Sequence, residues 1–209
     1  MSTISQSPTL LLGTHNAGKV REIQTILGDV PWCVRSLLEF ERVGIATESG
    51  DAYSENAVAK AQFYAHATEL CALADDSGLE VEVLGGAPGV FSARYAGVGA
   101  SDADRRKLLL AELADVPKEE RKARFVCVVA IARPDGAVLN ISEGVCNGMI
   151  AFAPRGEGGF GYDPLFVPDG FEQTFAELAD SIKNRISHRA RALLGTREFL
   201  ISERALFSL

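Results

Sequence analysis

A glycine-rich turn that ends in a lysine, Gly13-Thr14-His15-Asn16-Ala17-Gly18-Lys19, follows a short apolar run near the start of the chain. Backbone N–H groups at a helix start attract anions, and a lysine adds a positive point charge. The spacing matches most of the P-loop consensus, but Val20 stands where that motif needs a hydroxyl ligand for Mg²⁺. The turn therefore predicts phosphate binding. The plain alternative is a glycine-bearing helix entry with a solvated Lys19.

Two adjacent carboxylates, Asp75 and Asp76, come directly after the apolar run 70–74. Sheets of α/β proteins bind ligands at the carboxyl ends of their strands. Adjacent carboxylates repel each other unless a cation or hydrogen bonds neutralise them, and Mg²⁺ takes oxygen ligands beside a phosphate substrate. The pair therefore predicts a magnesium site. The alternative is that Asp75-Asp76-Ser77-Gly78 forms only a polar turn.

A third group of polar residues surrounds an alanine-rich helix predicted over 52–68. Glu48 precedes this helix, and Asn56 and Lys60 share one of its faces because they are four residues apart. Glu48 could add a carboxylate to the metal site, while Lys60 could bind phosphate oxygens or hold an attacking water. Alternatively, Glu48 is a capping residue and Lys60 a solvated surface charge.

A glycine-rich loop over 158–164 carries Phe160, Tyr162 and Asp163. Aromatic rings in such a loop can stack on a planar base, and the acid can form hydrogen bonds to it. Lys183 and the run Ser187-His188-Arg189 are predicted to open the last helix and to place cations near its N-terminus. No serine or cysteine nucleophile signature accompanies His188, so the sequence predicts no catalytic triad.

The elements that must position these residues alternate along the chain. Alternation of helices and strands with one hairpin is typical of an α/β or α+β protein with a mixed sheet. The hairpin is predicted from the turn signal Pro134-Asp135-Gly136. The predicted strands cover residues 9–12, 32–37, 70–74, 124–133 and 137–146. One helix is predicted to begin after Gly18, and three more are predicted over 52–68, 104–113 and 188–203.

Composition limits the class of protein. The chain has 209 residues, 47% of them apolar, and a net charge of −7, which disfavours a nucleic-acid polymer as a partner. Apolar runs are far shorter than the roughly 18 residues that a membrane span needs, and the N-terminus has neither the basic nor the apolar region of a signal peptide. We therefore expect one cytoplasmic domain over residues 1–209, with no membrane partner.

The cysteines are expected to be structural. Cys33, Cys71, Cys127 and Cys146 are widely spaced, and no CxxC pair or neighbouring histidine completes a zinc pattern. Because free cysteine is most often a core residue, we expect four buried thiols.

Eight short motifs, taken in their order along the chain, resemble those of the inosine triphosphate pyrophosphatase family. Within that family, this sequence most resembles the branch of the bacterial dITP/XTP pyrophosphatases. The likeness extends from about Leu10 to Leu194. One such motif is weak, but eight in the order of the family are specific. The motifs are Thr14-His15-Asn16-Ala17-Gly18-Lys19, Glu48-Ser49-Gly50, Glu55-Asn56-Ala57-x-x-Lys60-Ala61, Ala74-Asp75-Asp76-Ser77-Gly78-Leu79, Gly85-Gly86-Ala87-Pro88-Gly89, Ser92-Ala93-Arg94-Tyr95, Phe160-Gly161-Tyr162-Asp163 and Ser187-His188-Arg189.

The resemblance implies Mg²⁺-dependent hydrolysis of deaminated purine nucleoside triphosphates (ITP, dITP, XTP) to the monophosphate and pyrophosphate, which cleanses the nucleotide pool. It implies an α/β homodimer with an elongated mixed β-sheet flanked by helices and an active-site cleft between two lobes. His15 is a departure, because the family more often has glycine at that position.

The resemblance also implies a role for each matched residue. Asp76 is the acid/base residue and a metal ligand, Glu48 is a second metal ligand beside Asp75, and Lys60 is a catalytic residue at the phosphates. The resemblance makes Arg189 a substrate contact; because Arg189 is charged and only donates, we predict that it reads the 6-keto group of the base with help from backbone N–H groups of the 160–163 loop. The implied substrate-binding residues are Thr14, Asn16, Lys19, Ser77, Phe160, Gly161, Tyr162, Asp163, Lys183, His188 and Arg189.

Two other functions stay open on the residues alone. One is a P-loop-like kinase or NTPase that acts at the γ-phosphate, which Val20 disfavours. The other is a non-catalytic nucleotide sensor, which gains little from an acid arranged beside a metal. The products distinguish the three functions: pyrophosphate, orthophosphate or none.

Overall fold

The computed structural model describes residues 7–40 and 43–203, and in these ranges it has six β-strands and five α-helices. The strands form one sheet in the order β2-β1-β3-β4-β5-β6, in which β1 pairs in parallel with β2 and β3, and β5 pairs antiparallel with β6. This mixed sheet with helices confirms the predicted α/β class. The elements are β1 (Thr9–Leu12), α1 (Ala17–Ile26), β2 (Cys33–Ser36), α2 (Tyr53–Thr68), β3 (Cys71–Val81), α3 (Asp102–Glu112), β4 (Lys122–Ala132), β5 (Val138–Ile150), β6 (Phe166–Pro168), α4 (Asp180–Ile186) and α5 (His188–Ser202).

The chain divides into two compact units. The first comprises the described residues of Met1–Asp76, Val128–Glu143 and Ala190–Leu209, and the second comprises Ser77–Cys127 and Gly144–Arg189. The divisions fall inside β3, β4, β5 and α5, so each of these elements contributes residues to both units. That residues 1–209 act as a single domain stays a prediction.

Small residues bring α2 close to the strands of the first unit. Ala57, Ala61 and Ala65 recur every four residues, so they lie on one face of α2, and all three are buried in one core cluster. The cluster also contains Leu11 of β1 and Val128 of β4. This packing confirms the strand predicted over 9–12 and the helix predicted over 52–68, and it fixes the face of α2 that carries Asn56 and Lys60.

The strand predicted to end at Ala74 instead continues to Val81, so Asp75 and Asp76 lie within β3. The prediction of a strand end or polar turn there is wrong. Burial of two charges in a strand is tolerated here because each carboxylate has a lysine partner. The pairing of β1 with β3 ends at Leu12 and Leu73, so the two acids still lie just beyond the carboxyl end of β1.

A hairpin joins β4 to β5, and two consecutive helices, α4 and α5, follow β6. The predicted 134–136 turn joins β4 to β5, with Gly136 at φ +86° and a hydrogen bond from Arg133 N to Ala137 O of 2.9 Å. Lys183 lies on α4, not at the opening of the last helix as predicted. The chain becomes extended at Ser187 (φ −68°, ψ 159°), and this separates α4 from α5.

The expectation of four buried thiols is wrong for two of them. Cys127 and Cys146 are buried, but Cys33 is exposed and Cys71 is only partly buried. The reason for Cys33 is topological, because it begins β2, which is the edge strand of the sheet. No helix within the described ranges is both long enough and apolar enough to cross a membrane.

Candidate functional site

The side chain of Asn16 caps α1. Its Oδ1 accepts hydrogen bonds from the backbone N–H groups of Gly18 (2.8 Å) and Lys19 (3.1 Å), and Thr14 Oγ1 accepts from Asn16 N (3.2 Å). Two of the N–H groups that a P-loop would offer to phosphate therefore already have an acceptor within the turn. The side-chain donors of the turn are the Asn16 amide NH₂, the Thr14 hydroxyl and Lys19, and phosphate binding here stays a prediction.

The turn before α1 is packed too closely for any residue but glycine at position 13. A Cβ on Gly13 would lie 2.7 Å from a ring carbon of Tyr64 and 3.2 Å from Leu73 O, and Gly13 N donates to that same oxygen at 2.7 Å. His15 also contacts Tyr64, edge to face, with the ring centroids 6.2 Å apart. Tyr64 of α2 therefore holds the turn in place and provides a packing partner for the unusual His15.

Lys60 joins two carboxylates in the first unit. Its Nζ lies 2.6 Å from Glu48 Oε1 and 3.0 Å from Asp76 Oδ1. Asn56, one turn earlier on α2, donates from Nδ2 to Asp76 Oδ2 (3.1 Å) and to Gly50 O (3.2 Å). The interpretations of Lys60 as a solvated charge and of Glu48 as a helix cap are therefore wrong. Asn56, which sequence reasoning placed on this face without a role, ties the 48–50 segment to Asp76.

Asp75 has a different lysine partner. Its Oδ2 lies 2.9 Å from Lys19 Nζ, and its side chain is fully buried. Consecutive residues of a strand point to opposite faces, so Asp75 and Asp76 diverge. Their repulsion is relieved by two separate lysines, and the structure does not bring Asp75 onto the ammonium that Glu48 and Asp76 share. Its predicted role as a metal ligand stays a prediction.

The pKa values of Asp76 and Lys60 are both raised, although burial and neighbouring charge act in opposite directions on each group. Burial raises the pKa of the Asp76 carboxyl above its ordinary value, and the nearby positive charges of Lys60 and Lys19 only partly oppose that effect. For Lys60, burial lowers the pKa, but the charges of Asp76, Asp75 and Glu48 outweigh it, so the pKa is raised and the ammonium stays protonated. A carboxylate of raised pKa accepts a proton more readily.

The donor chemistry of Glu48 and Asp76 fits a small hard cation. Within the described ranges, no cluster of three or more His, Cys, Asp or Glu side chains could hold a metal ion on its own. Mg²⁺ does not require one, because it is commonly held by one or two carboxylates with waters and substrate phosphates. Glu48 and Asp76 already converge on one positively charged atom, Lys60 Nζ.

In the second unit, a buried ion pair organises the 158–164 loop. Lys183 Nζ lies 2.5 Å from Asp163 Oδ2, and the same oxygen accepts a hydrogen bond from Phe160 N (2.8 Å). A Cβ on Gly159, whose φ is +70°, would lie only 2.1 Å from that oxygen. The loop is therefore folded around the Asp163 carboxylate, and this carboxylate holds the backbone of Phe160.

Two cations lie over the Phe160 ring. Lys183 Nζ is 4.9 Å and the Arg189 guanidinium carbon 5.7 Å from the ring centroid. Arg189 is only 1% exposed, and its Nη2 donates to Ser77 Oγ at 3.0 Å. The structure thus brings together Ser77, Phe160, Asp163, Lys183 and Arg189, five of the residues predicted to contact substrate.

Two other predicted contact residues are packed in the core. Tyr162 is buried and its hydroxyl donates to Ser92 O (3.0 Å), whereas Phe160 is only partly buried and its ring is the more accessible of the two; the predicted stacking of Tyr162 on a base stays a prediction. The His188 ring stacks on Phe125 with centroids 4.5 Å apart, and its predicted contact with substrate stays a prediction.

Three backbone N–H groups of this loop already have acceptors within the protein. Phe160 N donates to Asp163, Gly161 N donates to Asp102 Oδ2 (2.7 Å), and Asp163 N donates to Phe160 O (3.1 Å). The expectation that these N–H groups read the base is therefore wrong for these three residues. Sequence reasoning missed Asp102, because its only signal is its place in the first turn of a capped helix.

Comparison with known proteins gives consistent matches over most of the chain. The family model described as the Ham1 family matches residues 10–199. A dITP/XTP pyrophosphatase from Desulfotalea psychrophila is 50% identical over 186 residues, which cover 89% of this chain and 82% of that protein. One from Exiguobacterium sibiricum is 47% identical over 188 residues, 88% of this chain and 92% of that protein.

A solved structure has the same fold. The structure of a HAM1 protein from Coxiella burnetii superposes with a TM-score of 0.83 at 42% sequence identity, and the match covers 93% of this chain and 99% of that chain. The resemblance inferred from the eight motifs is thereby confirmed.

Proposed function

The chain belongs to the Ham1 family, and we propose that it hydrolyses the deaminated purine nucleoside triphosphates ITP, dITP and XTP to the nucleoside monophosphate and pyrophosphate. The observation that carries this proposal is the buried carboxylate of Asp76, held between Lys60 and Asn56 and joined through Lys60 to Glu48. The rival P-loop function finds no support: Asn16 occupies the N–H groups of the helix start, and Val20 is buried and has no hydroxyl.

At the phosphates, the proposed step is a direct displacement. Asp76 accepts a proton from a water whose oxygen attacks the α-phosphorus, and the bond to the bridging oxygen breaks, so that pyrophosphate leaves with the bonding electron pair. Lys60 and Lys19 bind phosphate oxygens and offset the charge that accumulates on the leaving group. Thr14 and Asn16 add neutral donors.

The metal proposed for this reaction is Mg²⁺. Glu48 and Asp76 would hold it, with Asp75 as a further proposed ligand. When bound, Mg²⁺ neutralises charge on the bridging oxygen and the leaving phosphates. The activity of the family is consistent with dependence on a divalent metal, and the choice of magnesium rests on oxygen ligands beside a phosphate substrate.

We assign recognition of the base to the residues that lie close together in the second unit. Phe160 offers a ring for stacking, and Arg189 offers a guanidinium that only donates hydrogen bonds. Hypoxanthine and xanthine carry a 6-keto acceptor where adenine has a 6-amino donor. A donor buried beside that position pairs with the keto group and rejects the amino group. Lys183 keeps Asp163, and through it Phe160, in place.

We expect Arg189→Ala to reduce the preference for ITP over ATP, chiefly by loss of kcat/KM for ITP. A buried donor left unpaired costs about 1–3 kcal/mol, which corresponds to roughly 5- to 150-fold discrimination per contact. The preference is measured as the ratio of the kcat/KM value for ITP to that for ATP. Because Arg189 is buried, Arg189→Lys is measured beside it, and Arg185→Ala, an exposed arginine on α4, is the control. Equal losses on both nucleotides would show that Arg189 serves the phosphates or the fold.

We further propose that the protein is a cytoplasmic homodimer, as the family resemblance implies. The chain mass is 22.4 kDa, so light scattering at micromolar concentration should give about twice that value. A mass of one chain under these conditions would contradict the dimer without touching the proposed reaction.

A further inference from the structure

Helix α3 holds both polar groups of one loop residue. Gly161 N donates to Asp102 Oδ2 at 2.7 Å, and Gly161 O accepts from Arg106 Nη1 at 2.6 Å. Asp102 and Arg106 are four residues apart on α3 and both are partly buried. The N–H belongs to the peptide before Gly161 and the carbonyl to the peptide after it. One helical turn therefore fixes two consecutive peptide planes of the loop.

The conformation fixed in this way is one of several that glycine can adopt. Gly161 has φ +60°, and a Cβ there would meet no atom within 4 Å, so the backbone angle and not the space is what favours glycine. On the other side of the loop, Asp163 holds Phe160 N. Phe160 thus lies between two attachments, the buried Asp163–Lys183 pair and the contacts from α3.

We propose that Asp102 and Arg106 are positioning residues for binding of the base, because they hold the 160–163 loop with the Phe160 ring in place to stack. This inference rests on the proposed function, in which Phe160 stacks on the base. Neither residue contacts substrate. Their loss leaves the loop free to leave its left-handed turn, so the cost falls on the binding of the base and not on the chemistry at the phosphates.

Arg106 is the cleaner probe of the two. Asp102 also pairs with Arg105, which donates to Ala93 O and Ala100 O at 2.8 Å each, so a change at Asp102 also affects the 93–100 segment. Asp102→Asn keeps one oxygen that can accept from Gly161 N, but it removes the charge and replaces the oxygen that accepts from Arg105 with an NH₂ group. Arg106→Ala removes the donor to Gly161 O, and Arg106→Lys restores one donor on a shorter reach.

The experiment compares ITP with ribose 5-triphosphate, which has the same phosphates and sugar but no base. For Arg106→Ala we expect KM for ITP to rise about tenfold, the scale of one lost hydrogen bond to a charged group, while kcat changes less than about threefold. Both parameters for ribose 5-triphosphate should stay at the wild-type values. Asp102→Asn should shift KM in the same direction by less, and Arg106→Lys should recover part of the loss. Lys107→Ala, an exposed residue of the same helix, is the matched control.

The outcomes separate the two claims. If the wild-type enzyme prefers ITP over ribose 5-triphosphate and the variants keep the wild-type KM for ITP, the inference is overturned and the proposed function stands. Equal losses on ITP and ribose 5-triphosphate also overturn it, because they show a general structural role. A wild-type enzyme that uses both substrates equally well overturns base recognition itself and, with it, the inference. Where thermal unfolding shows that Arg106→Ala does not fold, Arg106→Lys and Asp102→Asn decide the question by the same criteria.

Discussion

Asp76→Asn is expected to lower kcat for ITP by at least about a hundredfold, the lower range of general acid–base catalysis. The amide keeps the shape of the carboxylate and can still pair with Lys60, but it cannot accept the proton of the attacking water. Asp76 is only 6% exposed and lies among Lys60, Asn56 and Glu48. No other residue of this cluster lies where the Asp76 carboxylate does, so the loss of kcat should persist at saturating Mg²⁺.

Asp169→Asn, an exposed aspartate after β6, is the matched control and should keep the wild-type rate. The melting temperatures of both variants establish that they are folded. A folded Asp76→Asn protein with a rate near that of the wild type would remove Asp76 from the role of general base.

Lys60→Ala should reduce kcat/KM by about a hundredfold and also destabilise the metal-free protein. The first effect follows because one charge-stabilising donor at a reaction centre accounts for about 10²–10³ in rate. The second follows because Lys60 is buried and neutralises both Glu48 and Asp76. Removal of one partner from a buried ion pair costs about 3–5 kcal/mol, and partial exposure of Glu48 places the expected loss at the lower end.

Differential scanning calorimetry with and without Mg²⁺ tests the second effect separately from activity. Magnesium should recover more of the melting temperature in Lys60→Ala than it adds to the wild type, because the variant has two carboxylates without their lysine. Lys118→Ala, an exposed lysine, should match the wild type in both measurements. An unchanged melting temperature for metal-free Lys60→Ala would contradict the ion-pair geometry.

Short sequence patterns predicted the strands and helices whose formation depends on residues close together in the chain. The run 9–12 is β1 because it is short, apolar and followed by a turn, and three of the alanines whose abundance predicted α2 pack that helix into the core. The i, i+4 relation of Asn56 and Lys60 correctly placed both on one face, and both contact Asp76. The order of the motifs predicted the family, because it combines positions that are far apart in the chain.

The errors about the polar residues of the candidate site share one physical origin, which is that the partner of a buried polar group is not visible in the sequence. Asp75 and Asp76 looked like the end of a strand because their lysines lie 56 and 16 residues away along the chain. The N–H groups of Gly18 and Lys19 looked free at the helix start, yet the Asn16 side chain accepts hydrogen bonds from both. Asp102 and Arg106 carry no motif at all, and their role follows only from the contact of α3 with Gly161.

The measurement that tests the central claim most directly is the product analysis of ITP hydrolysis by the wild-type protein with Mg²⁺. Inosine monophosphate, inosine diphosphate, pyrophosphate and orthophosphate are separated and quantified, with ATP as the parallel substrate. The account predicts one inosine monophosphate and one pyrophosphate for each ITP consumed, no initial orthophosphate, and slow turnover of ATP. Inosine diphosphate with orthophosphate would place the attack at the γ-phosphorus and contradict the account.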